Sequence, residues 1–134
     1  MKTTLRTAAM VAAASLLLAA CPAAVPIQNV NDEPVSTPSG KHLSASQVRS
    51  AIMTAGTSLG WRIADAGPGR LEGTLHLREH TAVVDIPYSA AKYSILYRSS
   101  EKLEASGGNI HRNYNGWVQN LDRQIRAEIS RMGG

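Results

Sequence analysis

The chain has few of the residues that commonly stabilise a small secreted domain. Its 134 residues include one cysteine and no phenylalanine, so that two Trp and four Tyr supply all the aromatic side chains. The single cysteine, Cys21, excludes a framework of intrachain disulfides, which small secreted domains often use to support a thin core. Packing alone must therefore hold together any domain that follows residue 21.

Long hydrophobic runs are also scarce. The most apolar stretch, residues 7–20, consists mostly of Ala, Leu, Val and Met and carries no charge. It is shorter than the roughly 20 apolar residues with which a helix crosses a bilayer. Lys2 and Arg6 precede it, and a short apolar run behind a cationic front is typical of a secretory signal peptide.

The end of this run carries a more specific motif. Leu18-Ala19-Ala20-Cys21, followed by a proline-rich stretch, resembles the lipobox of bacterial lipoproteins. The resemblance implies cleavage between Ala20 and Cys21, a diacylglyceryl group on the cysteine thiol and an N-acyl chain on the new N-terminus. Residues 1–20 are then a signal peptide, and the acylated cysteine begins the mature chain.

The alternative is a conventional secretory signal peptide, which requires small side chains beside the cleaved bond. A conventional signal peptidase cutting after Ala20 would meet Leu18 at a position where that enzyme requires a small side chain. A cut after Ala23 is permitted by size, although Pro22 then lies inside the recognised segment. If the cysteine is acylated, Pro22 behind it implies, by the enterobacterial sorting rule, an outer-membrane lipoprotein that faces the periplasm. Retention in the inner membrane is the alternative.

The charge balance argues against one class of partner. The formal net charge of +4 comes from 14 basic and 10 acidic residues, and removal of Lys2 and Arg6 with the signal peptide leaves 12 against 10, or +2. Nucleic-acid binding by a small domain normally requires a concentrated basic surface. No nucleic-acid partner is therefore expected.

Proline marks the stretch after the cysteine. Four of the six prolines lie between Cys21 and Ser44, in a segment without helical or strand periodicity over a useful length. This composition predicts a tether over residues 22–43, which together with the acylated cysteine separates the signal peptide from a domain at 44–134. The alternation in residues 27–30 leaves open a short edge strand there.

Helical periodicity appears at both ends of that domain. Ser44 and Gln47 form a capping-box pattern ahead of an apolar stripe, which predicts a helix over about 45–58. A second stripe follows Asn113, which is a candidate N-cap for the last helix. On that helix Asp122 and Arg126 have the i, i+4 spacing of an ion pair and are expected on the solvated side.

Between the helices, apolar and polar residues alternate in four short runs. Runs near 61–64, 70–78, 82–88 and 93–97 predict strands, and residues 99–111, with Gly107-Gly108, predict a loop. Short links favour antiparallel neighbours. The sequence thus predicts an α+β fold of order α-β-β-β-β-α, in which a four-stranded antiparallel meander carries both helices on one face.

Short motifs within residues 44–126 carry a second resemblance. They are Gly60-Trp61, Pro68-Gly69, Arg78-x-His80, Ile86-x-Tyr88, Tyr93-Ser94-Ile95-x-Tyr97, Ile110-His111, Asn113-Tyr114-Asn115 and Trp117. Together with the lipobox, they are similar to a family of small proteobacterial lipoproteins of uncharacterised function. Gly116 departs from the pattern, which usually has a larger residue there. The resemblance implies fold and location, and it brings no catalytic residues.

The sequence offers little support for a metal or catalytic site. His76 and His80 have a spacing that suits metal binding on a helix, but they fall on a predicted strand and turn. No nucleophile elbow or phosphate-binding loop is present in the sequence. Neither catalytic residues, nor a metal, nor a diffusible cofactor are therefore expected.

One group of polar and aromatic residues is a candidate binding groove. Its members are Arg78, His80, Tyr88, Tyr97, His111, Tyr114, Asn115 and Trp117. Tyr and Trp combine apolar area with a hydrogen bond, which suits contact with a peptide or a glycan. The alternative is that the aromatic rings fill the core while Arg and His bond loop carbonyls at its rim.

These features predict a lipid-anchored, non-enzymatic module of the cell envelope. The membrane is contacted through Cys21, and the folded domain binds an envelope protein or peptidoglycan. The alternative function is a small-ligand binder or weak hydrolase that uses the neighbourhood of His80 and His111.

Overall fold

The structure is a computed structural model that describes residues 24–134. The predicted cleavage site and lipid-bearing residue, Ala20 and Cys21, lie outside the described residues. In chain order the elements are β1 (Ala24–Pro26), β2 (Val30–Pro34), α1 (Ala45–Ser58), β3 (Arg62–Asp65), β4 (Arg70–Leu77), β5 (His80–Pro87), β6 (Lys92–Glu101), β7 (Asn109–His111) and α2 (Asn113–Met132).

The α+β class is confirmed, with one more strand in the main sheet than predicted. Five strands lie in the order β2-β6-β5-β4-β3, and every neighbouring pair is antiparallel. Strands β3 to β6 form the predicted meander. Residues 99–111 are only in part a loop, because β6 continues to Glu101 and β7 occupies Asn109–His111.

The tether prediction is wrong for residues 24–35. Strand β1 pairs with β7 in a separate two-stranded sheet, and β2 pairs with β6 at the edge of the main sheet. The edge-strand alternative was correct in kind but was placed on the residues that mostly connect these strands. Pro26 and Pro34 are the last residues of two edge strands, where a missing N–H removes few ladder bonds. Proline content alone therefore did not distinguish an edge strand from a linker.

Helix α1 has the bounds that the sequence predicts. The Ser44 hydroxyl accepts from the Gln47 backbone N–H at 3.1 Å, and the Gln47 side chain accepts from the Ser44 N–H at 2.9 Å. This reciprocal pair satisfies two amides that the first turn leaves without intrahelical partners. Near the other end of the helix, a Cβ at Gly56 would collide with the Ile63 side chain. Gly56 thereby permits close packing of α1 on β3.

The start of α2 differs from the prediction that Asn113 caps it. The N-cap is Arg112, which already has helical angles and makes no side-chain capping bond. The Asn113 backbone N–H instead donates to His111 Nδ1 at 3.2 Å. An imidazole from the preceding strand thus satisfies a first-turn amide of the helix. No helix within residues 24–134 combines the length and apolar character of a membrane span.

Both helices pack on the same face of the main sheet. The inward residues of β5, Ala82, Val84 and Ile86, are fully buried in one cluster with side chains from α1 and α2. The opposite face of the sheet, here called the outer face, carries polar and charged residues such as Glu72, Asp85 and Arg98. The fold therefore has one apolar layer and one solvated sheet surface.

Candidate functional site

The two ends of the sheet differ in what they bring together. At one end, here called the Ala24 end, Ala24 pairs with His111, α2 begins, and the β4–β5 turn lies beside the loop 102–108. At the other end, the Gly133 end, Gly133 packs against Thr37 beyond the last turn of α2. The hairpin turns at 66–69 and 88–91 also lie at the Gly133 end.

The eight residues of the predicted groove do not form one groove. Tyr88 lies at the Gly133 end, where it bridges to Tyr93 and donates its N–H to the Gly69 carbonyl at 2.9 Å. The other seven residues lie in the half of the domain nearest Ala24. Strand direction explains the separation, because Tyr88 follows the end of β5 whereas His80 begins it.

His80 and Trp117 lie next to each other near the Ala24 end. Their ring centroids are 6.3 Å apart and the ring planes are inclined by 48°. His80 Nδ1 lies 2.8 Å from the Lys102 carbonyl oxygen, so that this nitrogen carries the proton and donates it. The bond joins the start of β5 to the loop after β6. His80 therefore ties the loop to the sheet.

His111 makes one hydrogen bond through its backbone and another through its ring. Its N–H donates to the Leu103 carbonyl at 2.8 Å, and its Nδ1 accepts the Asn113 N–H. Acceptance at Nδ1 places the ring proton on Nε2. His80 and His111 thus bond to different backbone groups, and Nδ1 of His111 is not available as a base.

Tyr97 and Tyr114 form an aromatic pair beneath this end of the sheet. Their centroids are 5.5 Å apart at 87°, an edge-to-face arrangement. Tyr114 is fully buried, and its hydroxyl has no hydrogen-bond partner among the described residues. Burial raises the pKa of Tyr114 above its ordinary value, and the neighbouring Tyr97 raises it further. Tyr114 therefore fills the core, as the alternative interpretation of this group expected.

Asn115 holds the N-terminal segment on the domain. Its side-chain oxygen accepts from the Gln28 N–H at 3.0 Å, and its side-chain nitrogen donates to the Pro26 carbonyl at 3.0 Å. Asn115 is buried whereas Pro26 and Gln28 are exposed, so that both of these bonds are partly shielded from water. We call this pair of bonds the Asn115 clamp. Gln119 adds an exposed bond from its side-chain amide to Gln28 at 3.2 Å.

The remaining residue of the predicted groove, Arg78, lies exposed in the β4–β5 turn with a φ of 57°.

The two histidines whose spacing would suit a metal on a helix, His76 and His80, lie at different places on the sheet, since His80 begins β5. His76 lies on the outer face, where its Nδ1 is 3.0 Å from the Thr81 hydroxyl. Within residues 24–134 no group of three His, Cys, Asp or Glu side chains has a metal-binding arrangement.

The sequence interpretation missed a buried polar contact between the sheet and α2. Asp122 is 8% exposed rather than solvated, and its Oδ1 accepts from the Tyr93 hydroxyl at 2.6 Å. Arg126 pairs with the other carboxylate oxygen at 2.8 Å. Burial, followed by the bond to Asp122, raises the pKa of Tyr93 well above its ordinary value. Spacing along α2 indicated the Asp122–Arg126 pair but not the tyrosine on the sheet.

The outer face holds a second contact that the sequence did not reveal. Glu72 on β4 and Asp85 on β5 are directly opposite each other in the register. Arg98 on β6 forms ion pairs with both carboxylates. A like-charge cross-strand pair is destabilising by itself, so Arg98 neutralises a local repulsion in the middle of this face.

A small cavity lies at the Gly133 end. Its volume is about 140 Å³, and its lining includes Asp32, Tyr88, Lys92, Tyr93 and Ser94. Asp32 pairs with Lys92 at 3.1 Å, and its N–H donates to the Ser94 hydroxyl at 2.9 Å. These polar groups bond to one another, and the volume is below the roughly 300 Å³ at which ligand pockets begin.

The described geometry thus has three local arrangements: imidazoles bonded to backbone at the Ala24 end, a clamp on the N-terminal strands, and a charge-paired outer face. Each of them positions chain segments, and none brings a nucleophile, a base and an orienting acid into contact.

Comparison of the chain with protein-family models, curated proteins and solved structures returns no significant match.

Proposed function

We propose that the protein is a non-enzymatic lipoprotein of the bacterial cell envelope, held by lipid on Cys21 with its domain facing the periplasm. The observation that carries the proposal is the motif Leu18-Ala19-Ala20-Cys21 behind an uncharged run with a cationic front. A diacylglyceryl group and an N-acyl chain supply more than one acyl chain, which is what stable membrane anchoring requires. The Pro22 that follows the cysteine favours the outer membrane.

The outer face of the sheet is the surface that we propose for partner binding. It presents Arg62, Thr74 and His76 across neighbouring strands, and the paired charges around Arg98 leave it polar without a strong net sign. Interfaces between separately folded proteins are about as polar as the rest of the surface. An envelope protein or peptidoglycan is the class of partner that this location and this face favour.

A small-ligand or hydrolase function near His80 and His111 has less support. The His111 Nδ1 accepts an amide proton and the His80 Nδ1 donates to a carbonyl. Each imidazole thereby stabilises a backbone connection. General base catalysis requires an unprotonated ring nitrogen directed at a substrate-sized space. Donation from Nδ1 leaves Nε2 of His80 unprotonated, but neither His80 nor His111 lines the cavity of about 140 Å³ or the larger surface depression of about 450 Å³ beside Met53 and Thr57.

Replacement of Cys21 tests the anchor. Wild-type protein is expected to incorporate a labelled fatty acid and to fractionate with the outer membrane, whereas Cys21→Ser is expected to lose both properties. Ala23→Ser is the matched control, because it introduces a serine two residues away and leaves the thiol in place. Equal labelling and equal fractionation of Cys21→Ser and the wild type would contradict the proposal.

Photocrosslinking in intact cells tests the partner surface. A photoreactive residue at Thr74 on the outer face is expected to form an adduct with an envelope protein or with peptidoglycan. The control is Asn120, which is exposed within α2. No adduct from Thr74 above the level seen from Asn120 would refute binding through the outer face.

A further inference from the structure

We infer that the Ala24 end of the domain rests directly on the phospholipid headgroups of the membrane that carries the anchor. This inference rests on the proposed acylation of Cys21. It adds an orientation: the strands of the main sheet run along the membrane normal, and the Gly133 end points away from the lipid. The occupant of the Ala24 end is thus a lipid surface rather than a protein.

The length of chain between the lipid and the fold carries the first step. Cys21 precedes Ala24, the first residue of β1, by three positions. Three residues span at most about 11 Å when fully extended. Acylation of Cys21 would therefore hold the first residue of β1 within about 11 Å of the lipid-bearing residue, which is only slightly more than the roughly 5–8 Å thickness of one headgroup layer.

The attachment of β1 to the domain carries the second step. Ala24 and Val25 pair with His111 and Ile110 of β7, and the Asn115 clamp fixes the chain immediately after β1. No free linker follows Ala24 that could lift the domain away. A short distance at Cys21 thus becomes a short distance for the whole Ala24 end.

The side chains at this end suit an interfacial position. Among the described residues, the large apolar side chains with the most exposure are Leu77 at 45% and Leu59 at 38%. Leu77 ends β4 and Leu59 follows α1, so that both lie at the Ala24 end. Partly inserted leucines with charged neighbours are common in surfaces that lie on a membrane.

The charges in the turns and loops at this end are balanced, so this end should not distinguish zwitterionic from anionic lipid. The cations in the β4–β5 turn, around the loop after β6 and at the start of α2 are Arg78, Lys102 and Arg112, and the anions there are Glu79, Glu101 and Glu104. Equal numbers of opposite charges give little attraction to an anionic membrane at neutral pH. Contact with zwitterionic phosphatidylcholine is therefore expected to equal contact with a mixture containing anionic lipid.

Two alanines allow a matched test. Ala105 lies in the loop 102–108 at the Ala24 end, Ala90 lies in the β5–β6 turn at the Gly133 end, and both are exposed. In acylated protein the Cys21 thiol is consumed, so that Ala105→Cys and Ala90→Cys each introduce one reactive thiol. Each lipidated variant is labelled with an environment-sensitive fluorophore and reconstituted in phosphatidylcholine vesicles.

We expect iodide to quench the label at position 105 several-fold less than the label at position 90, with or without added anionic lipid. The full-length Cys21→Ser background provides the reference, because there the two labels are expected to be quenched equally. Equal quenching in acylated, vesicle-bound protein overturns the orientation and leaves the anchor intact. Labelling of Cys21 itself in protein without an added cysteine overturns both the anchor and the orientation.

Discussion

Residues 24–35 form the N-terminal segment, and residues 36–134 are here called the body of the domain. The two belong to one fold but are held by different interactions. Every fully buried apolar side chain among the described residues lies between Leu43 and Ile129. The N-terminal segment contributes only partly buried side chains, Ile27, Val30 and Val35. It is attached mainly through hydrogen bonds, which add less to stability than a well-packed core side chain.

The contacts of the segment come from residues far away in the chain. The Asn29 side chain accepts from the Tyr97 N–H at 2.9 Å, and the Asp32 N–H donates to the Ser94 hydroxyl at 2.9 Å. The Asn115 clamp is the third such contact. Since few apolar contacts reinforce these bonds, the segment is expected to open at a lower free energy than the body.

The largest expected effect comes from a cavity in the body of the domain. Ile125→Ala removes a fully buried side chain of α2, and large-to-small core substitutions of this kind cost roughly 2–5 kcal/mol. Urea unfolding followed by tryptophan fluorescence is expected to show a lower midpoint for the whole domain. Arg123→Ala, exposed on the same helix, is the control and should change the midpoint little.

The body of the domain could be predicted from the sequence, whereas residues 24–35 could not. Helix α1 was predicted with its correct bounds because apolar spacing and a capping box are local signals. The meander was predicted because alternation in each strand reports one buried face. Residues 24–35 were misassigned because their strands are short, rich in proline and stabilised by partners more than 50 residues away.

In the candidate site, too, local sequence signals identified individual residues but not their distant partners. Residue type identified Tyr114 and Asn115 as unusual polar or aromatic positions, and both are buried. Their separate roles depend on three-dimensional neighbours: Tyr97 for the first and the backbone of Pro26 and Gln28 for the second. Tyr88 shows that shared residue character along a sequence does not place side chains at the same end of a sheet.

The buried contact between Tyr93 and Asp122 is a polar exception within the body. Tyr93→Phe removes the hydroxyl that donates to this carboxylate, and hydrogen bonds to charged groups contribute about 1.5–3 kcal/mol. We expect a loss of that size in the free energy of unfolding. Tyr88→Phe is the matched control on a half-buried ring. Equal losses in the two variants would show that the Tyr93 bond has no special weight.

Alkaline pH tests the buried tyrosines without a substitution. Folding raises the pKa of Tyr93 and of Tyr114 above the ordinary tyrosine value of about 10. The unfolded chain therefore releases these protons first, and stability is expected to fall as pH rises above about 10, by at most about 1.4 kcal/mol per pH unit and tyrosine. Tyr93→Phe should flatten this decline, and an unchanged slope would contradict the shift at Tyr93.

The Asn115 clamp tests the attachment of the N-terminal segment. Asn115→Ala removes two partly shielded hydrogen bonds, for a loss of roughly 1–2 kcal/mol. We expect amide exchange to accelerate at Ile27 and Gln28 more than at Val84 in the centre of the sheet. Asn120→Ala, exposed one turn further along α2, should leave both rates unchanged. Equal acceleration at all three amides would show that the segment and the body open together.

The smallest effect is expected on the outer face, where neither apolar burial nor a shielded bond operates. Arg98 is half exposed, so its pairs with Glu72 and Asp85 are screened by water, and Arg98→Ala should cost about 0.5–1 kcal/mol. The loss should shrink at high salt and in a Glu72→Gln background, because the cross-strand repulsion is then weaker. A double-mutant cycle by urea unfolding measures this coupling. If the loss is the same in both backgrounds, Arg98 contributes through its aliphatic stem, and the outer face is stabilised by packing as the body is.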